Sequence, residues 1–131
     1  MIFNFLRKNE SNESKLEKWL NSISSEEKIP NTIKAINIGL FETQEGYSLY
    51  LIGSNTYSST DDDWASNEDF TPKNKYLGFN FDKKLEWREF LDWVHHESKN
   101  IIGKNNLFTN IDTITVGFDD GELILVKGTK Q

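Results

Sequence analysis

The chain has 131 residues, no cysteine, and 15 lysines and arginines against 21 aspartates and glutamates, for a formal net charge of -6. That length fits one domain spanning residues 1–131, able to bury roughly two-thirds of its unfolded surface without staples. The missing cysteines exclude disulfides, thiolate metal sites and cysteine nucleophiles, and the negative balance argues against a nucleic-acid partner, whose phosphates attract clustered lysine and arginine.

Met1-Ile2-Phe3-Asn4-Phe5-Leu6-Arg7-Lys8 is apolar before it is basic, the reverse of a secretory signal. No apolar run approaches the length of a membrane span, so a cytoplasmic protein is expected. Ser14-Lys15-Leu16-Glu17 has the spacing of a capping box, and Leu16, Trp19, Leu20 and Ile23 then share one helical face. This first helix should end before Pro30. Ile33 to Phe41 and Tyr47 to Gly53 read as two strands joined by a turn around Gln44-Glu45-Gly46.

From Ser54 to Lys75 neither a two-residue nor a 3.6-residue period persists, predicting a long loop over about residues 54–75. Tyr76 to Phe81 reads as a short strand, followed by a helix capped at Asn80 or Asp82. Trp87, Phe90, Leu91, Val94, Ser98 and Ile101 form its apolar stripe, with Gly103 placed as a stop. Ile114, Val116 and Phe118 alternate, Asp120-Gly121 suits a tight type I′ turn, and Leu123 to Val126 returns. The expected class is α+β: an antiparallel sheet of about four to five strands with two main helices packed on it. The similar order of elements in the two halves is matched by no residue repeat.

The charge is not spread evenly. Between Lys34 and Lys73 there is no lysine or arginine, yet Glu42, Glu45, Asp61, Asp62, Asp63, Glu68 and Asp69 fall there. Removing those seven from the 21 carboxylates leaves 14 against 15 basic groups, so the acidity is local. Three consecutive aspartates repel one another unless a cation, a helix N-terminus or a basic partner offsets the repulsion. A structural role is open to them, because Thr60-Asp61-Asp62-Asp63 also fits a capping box that starts a short helix through Ala65. Trp64 and Phe70 either plug the loop onto the core or form the apolar centre of a recognition patch. Trp93 lies off the buried stripe beside Glu86, Glu89 and Glu97, and is either covered by the long loop or free to anchor a partner. Tyr47, Tyr50 and Tyr57 allow the same two readings.

Chemistry finds less support in the residues. Counting from Asp61, the EF-hand pattern lacks its glycine at the sixth place, which is Ser66, and its acid at the twelfth, which is Pro72. His95 and His96 are adjacent, so on a helix they diverge by about 100 degrees and do not share a metal. No nucleophile elbow surrounds a serine. Glu68 or Asp69 could be paired with Glu86 as acid and base, as in any acidic protein. No cofactor, metal site or catalytic residue is assigned.

The stretch Tyr50-Leu51-Ile52-Gly53-Ser54, with Asp61-Asp62-Asp63-Trp64-Ala65-Ser66-Asn67-Glu68-Asp69-Phe70-Thr71-Pro72, Lys75-Tyr76 and the turn Gly117-Phe118-Asp119-Asp120-Gly121, resembles small bacterial proteins, some of them associated with toxin–immunity gene neighbourhoods. The resemblance implies a non-enzymatic inhibitor that binds a basic protein partner such as a toxin. The expected contact residues are Asp61, Asp62, Asp63, Trp64, Glu68, Asp69, Phe70 and Trp93. A small metal-dependent hydrolase or metal-binding protein using the Asp61 to Asp69 carboxylates is the alternative, and a self-associating structural subunit is a third.

Overall fold

Residues 10–128 are described by a computed structural model; the expectation drawn from residues 1–8 lies outside them. Helix α1 (Asn12–Glu26) is capped three residues before the expected position. Ser11 is its N-cap, and the Ser11 hydroxyl accepts the Ser14 backbone N–H at 3.1 Å. Ser14 thus sits inside the first turn, where its hydroxyl donates to Glu10 at 3.3 Å. The earlier serine offers the same acceptor and leaves a longer helix, so it takes the cap.

Five strands follow: β1 (Ala35–Glu42), β2 (Gly46–Ser54), β3 (Tyr76–Asn80), β4 (Thr113–Phe118) and β5 (Ile124–Lys127). Their order across the sheet is β3-β2-β1-β4-β5. Three neighbouring pairs are antiparallel, but β1 and β4 at the centre run parallel, with Ile36 opposite Ile114 and Ile38 opposite Val116. The sheet is therefore mixed rather than wholly antiparallel. A long helix between β3 and β4 returns the chain to the far end of the sheet, so β4 enters alongside β1 in the same direction.

That helix, α2 (Trp87–Asn105), is capped by neither Asn80 nor Asp82. Asn80 ends β3, and Glu86 is the N-cap, its backbone N–H donating to Glu89 at 3.3 Å. Gly103 does not stop the helix, which runs to Asn105; Asn106 then takes the left-handed conformation at φ 53°. Asparagine accepts that conformation better than most residues, because its short side chain can bond locally.

Both helices bury their stripes against one face of the sheet. Leu16, Trp19, Leu20 and Ile23 of α1 meet Phe90, Val94, Ile101 and Ile102 of α2 over Ile36, Ile38, Leu40, Leu49, Leu51, Ile114 and Val116. Each such side chain contributes about 1.5–3 kcal/mol on leaving water. Within the predicted stripe, Trp87 departs: it is 50% exposed and meets Phe118 edge-on at 6.0 Å. Its place in the first helical turn carries it beyond the core.

The β4–β5 connection also differs from the expected two-residue turn. Residues 119–123 join the strands, and the Gly121 N–H donates to the Phe118 carbonyl at 2.9 Å. Neither Asp120 nor Gly121 adopts a positive φ, so the turn is not of type I′. Glycine matters more at Gly46, where a Cβ would lie 2.2 Å from the Phe79 carbonyl oxygen on the neighbouring strand.

Candidate acidic partner surface

β1 is buried without interruption from Ala35 to Leu40, which requires cover on both faces of the sheet. The helices supply one cover and the segment after β2 supplies the other. A 3-10 helix, η1 (Asp62–Ser66), lies against β2. Its Trp64 is only 5% exposed, and Tyr57 meets it edge-on at 5.3 Å. Ile52, Ala35 and Trp64 are buried outside the cluster between sheet and helices, so Trp64 plugs the opposite face.

Phe70 secures the returning strand of the same loop. It forms an antiparallel bridge with Gly53, whose N–H donates to Phe70 O at 2.9 Å while the Phe70 N–H returns to Gly53 O at 3.0 Å. Its ring is 9% exposed and belongs to the helix-side core. The loop thus grips the sheet on both faces, Trp64 on one and Phe70 on the other. Both aromatics are committed to packing, which takes them out of the exposed patch that the acidic run was expected to surround.

The carboxylates are positioned by the same fold. Asp61 caps η1 by accepting the Asp63 N–H at 2.9 Å, so the cap is Asp61 and not Thr60. Asp62 accepts the Leu123 N–H at 3.3 Å, tying the acidic turn to the entrance of β5. Asp69 accepts the Asn55 N–H at 2.8 Å and closes the base of the loop. Glu68 pairs with Lys75 at 2.7 Å, and that hydrogen bond holds the lysine ammonium above its ordinary pKa. Asp61, Asp62 and Asp63 are exposed, as are Glu68 and Asp69.

Two depressions adjoin along this side. One, of 640 Å³, lies between Asp61, Asp62 and Trp64 on the loop and Lys99, Glu122 and Leu125 opposite. The other, of 480 Å³, is bordered by Glu42, Asp120 and Glu122 and floored by apolar side chains. Glu122 and Ile124 belong to both, so the acidic surface continues from η1 onto the β4–β5 turn. In the sequence Asp120 reads only as a turn residue, and Glu122 carries no assignment. The signal available was the acidic composition of Asp119-Asp120-Gly121-Glu122; its adjacency to η1 depends on the sheet order.

The remaining candidates lie elsewhere. Trp93 is half-buried against Phe79 at 5.5 Å and Phe90 at 6.1 Å, so core aromatics cover it rather than the acidic loop. His95 donates from Nε2 to the Leu125 carbonyl at 2.8 Å, while His96 points to Asn100 at 3.3 Å. Glu86 serves the start of α2 and shares no hydrogen-bond partner with Glu68 or Asp69. Among the described residues no three histidine or carboxylate groups converge as a metal site, and no helix is long and apolar enough to cross a membrane.

Tyr47 and Tyr50 have different roles. Tyr47 is a core ring stacked on Phe90 at 4.3 Å, its hydroxyl donating to Leu85 O at 2.6 Å. Tyr50 lies across Gly39 on the opposite face and donates to Asp119. Burial raises the Tyr50 phenol above its usual range, and the Asp119 carboxylate raises it further; burial likewise raises Tyr47. The unfolded phenols ionise first, near pH 10, while the folded ones stay protonated. The unfolded state is then favoured, so stability should hold below about pH 10 and fall above it. Urea midpoints measured across that range should fall less steeply in Tyr50→Phe than in wild type; identical slopes would contradict the raised pKa.

Comparison with known protein families, with curated proteins and with solved structures gave no match to the chain.

Proposed function

We propose that the protein is a non-enzymatic inhibitor of the immunity type, which binds a basic protein partner such as a toxin through the surface formed by η1 and the β4–β5 turn. The observation that carries this reading is that Asp61 and Asp62 are exposed yet fixed by the backbone N–H groups of Asp63 and Leu123. Charge held in place before binding needs no ordering at the moment of encounter. Clustered charge of one sign also steers an oppositely charged partner toward the surface. The resemblance carried by residues 61–72 points the same way, and the cysteine-free composition fits a cytoplasmic location.

The test is D61N/D62N/D63N. Asparagine keeps a side-chain oxygen that can accept the Asp63 and Leu123 N–H groups, so charge is removed while the turn is kept. Wild type and variant would be used to capture partners from the native host's lysate at low and high salt, and association rates measured on any basic protein retained. The variant should associate about tenfold more slowly or worse at low salt, with a flatter salt dependence. Unchanged association by a folded variant removes the acidic turn from the interface.

A further inference from the structure

We propose that the groove between the start of α2 and the β4–β5 turn docks a partner segment in which one large apolar side chain is flanked by lysine or arginine. This deepens the partner-binding reading above and rests on it. Trp87, Leu91, Phe118 and Ile124 floor the groove, which has a volume of 480 Å³, enough to receive a leucine or an aromatic ring. Trp87 is 50% exposed, and only Tyr76 joins it as an exposed large hydrophobic residue among those described. Its indole is held in place by Phe118 edge-on and by the Arg88 guanidinium 5.1 Å from the ring centroid. A positioned, half-exposed tryptophan in a concave apolar floor has the form of an interface anchor.

The rim decides what can enter. Glu42, Asp120 and Glu122 border the apolar floor. Glu42 is already paired with Lys84 at 2.7 Å, whereas no lysine or arginine among the described residues forms an ion pair with Asp120 or Glu122. An acidic segment would meet like charge, and a wholly apolar one would leave those two carboxylates uncompensated as water is displaced. A second copy of this chain docking by the same patch across a twofold axis would bring Asp120 and Glu122 toward their own counterparts. Basic residues beside an apolar anchor satisfy floor and rim together.

The proposal is tested by calorimetric titration of the full chain with a short synthetic peptide holding one leucine between lysines. Saturable binding is expected, weakened about 30-fold by Trp87→Ala and equally by changing the peptide's leucine to alanine. The combined variant Asp120→Asn/Glu122→Gln, which leaves the apolar floor intact, should weaken binding and flatten its salt dependence. No saturable binding by the wild type, or equal binding by Trp87→Ala, overturns the groove. So does a concentration-dependent dimer in light scattering that Trp87→Ala abolishes, since the groove then serves self-association. Titrating D61N/D62N/D63N separates the two readings. If a captured partner needs Asp61 to Asp63 but binds Trp87→Ala undiminished, the groove falls alone. Should the peptide need Trp87 while the partner ignores the triple variant, the acidic-turn reading falls and the groove stands.

Discussion

Replacing Trp64 by alanine is expected to cost about 3–5 kcal/mol, the range for removing a buried aromatic side chain. The indole is 5% exposed and lies opposite the helices, so its loss empties the packing between η1 and the sheet. This loss differs in kind from one in the main core. The loop is also held at its base by the Gly53–Phe70 bridge, by Asp69 on Asn55 N and by the Asn67 amide, which donates to Thr56 Oγ1 at 3.1 Å. Those ties let the middle of the loop detach while the helix-side core stays folded. Limited proteolysis should therefore cut the variant between residues 54 and 75 under conditions where wild type resists, and hydrogen exchange should rise first at the backbone N–H groups of Asp63 and Leu123. If the loop remains protected and stability is unchanged, Trp64 does not plug this face of the sheet. The acidic surface depends on the same packing, so the variant should also lose the charge-steered association expected of wild type.

Phe90→Ala should produce a loss of similar size, about 3–5 kcal/mol, but spread over the whole molecule. Phe90 is fully buried in α2, stacked on Tyr47 and in edge contact with Phe79 and Phe81 at 5.7 and 5.9 Å. It joins the helix to both β2 and β3, and Tyr47 is in turn fastened to Leu85 by its hydroxyl. Removing the ring leaves a cavity at the junction of three elements that cannot collapse without moving the helix. Urea denaturation followed by circular dichroism should show one transition at a lower midpoint with an unchanged slope. A biphasic curve, or a loss confined to the loop, would place Phe90 outside the cooperative core. The contrast between the two variants tests the architecture, since one unfastens a cover and the other weakens what it covers.

Much of the fold was legible because it follows from local periodicity. Leu16, Trp19, Leu20 and Ile23 at helical spacing identified α1, and the alternation of Ile114, Val116 and Phe118 identified β4. For the helices, the errors fall at their ends, whereas the sheet differs in the direction of its central pair. Ser11 and Ser14 offer the same cap chemistry, and Gly103 is an acceptable stop, but the helix closes later: the Leu107 N–H returns to Ile102 O at 3.0 Å as a local end bond, and the Phe108 N–H reaches across to Ser24 at 3.0 Å. Trp87 fitted the apolar stripe by spacing alone, yet spacing cannot say where the sheet beneath a helix ends.

Legible along the chain are the α+β class, the approximate positions of two helices and four to five strands, and the concentration of carboxylates between Lys34 and Lys73. Each is a property of neighbours along the chain, set by side-chain period or composition. It takes the folded arrangement to pair β1 and β4 in parallel, to set Trp64 and Phe70 on opposite faces of the sheet, and to bring Asp62 to Leu123 so that η1 joins Asp120 and Glu122. Those relations link residues tens of positions apart through packing and backbone hydrogen bonds, for which no local pattern in the chain carries a signature.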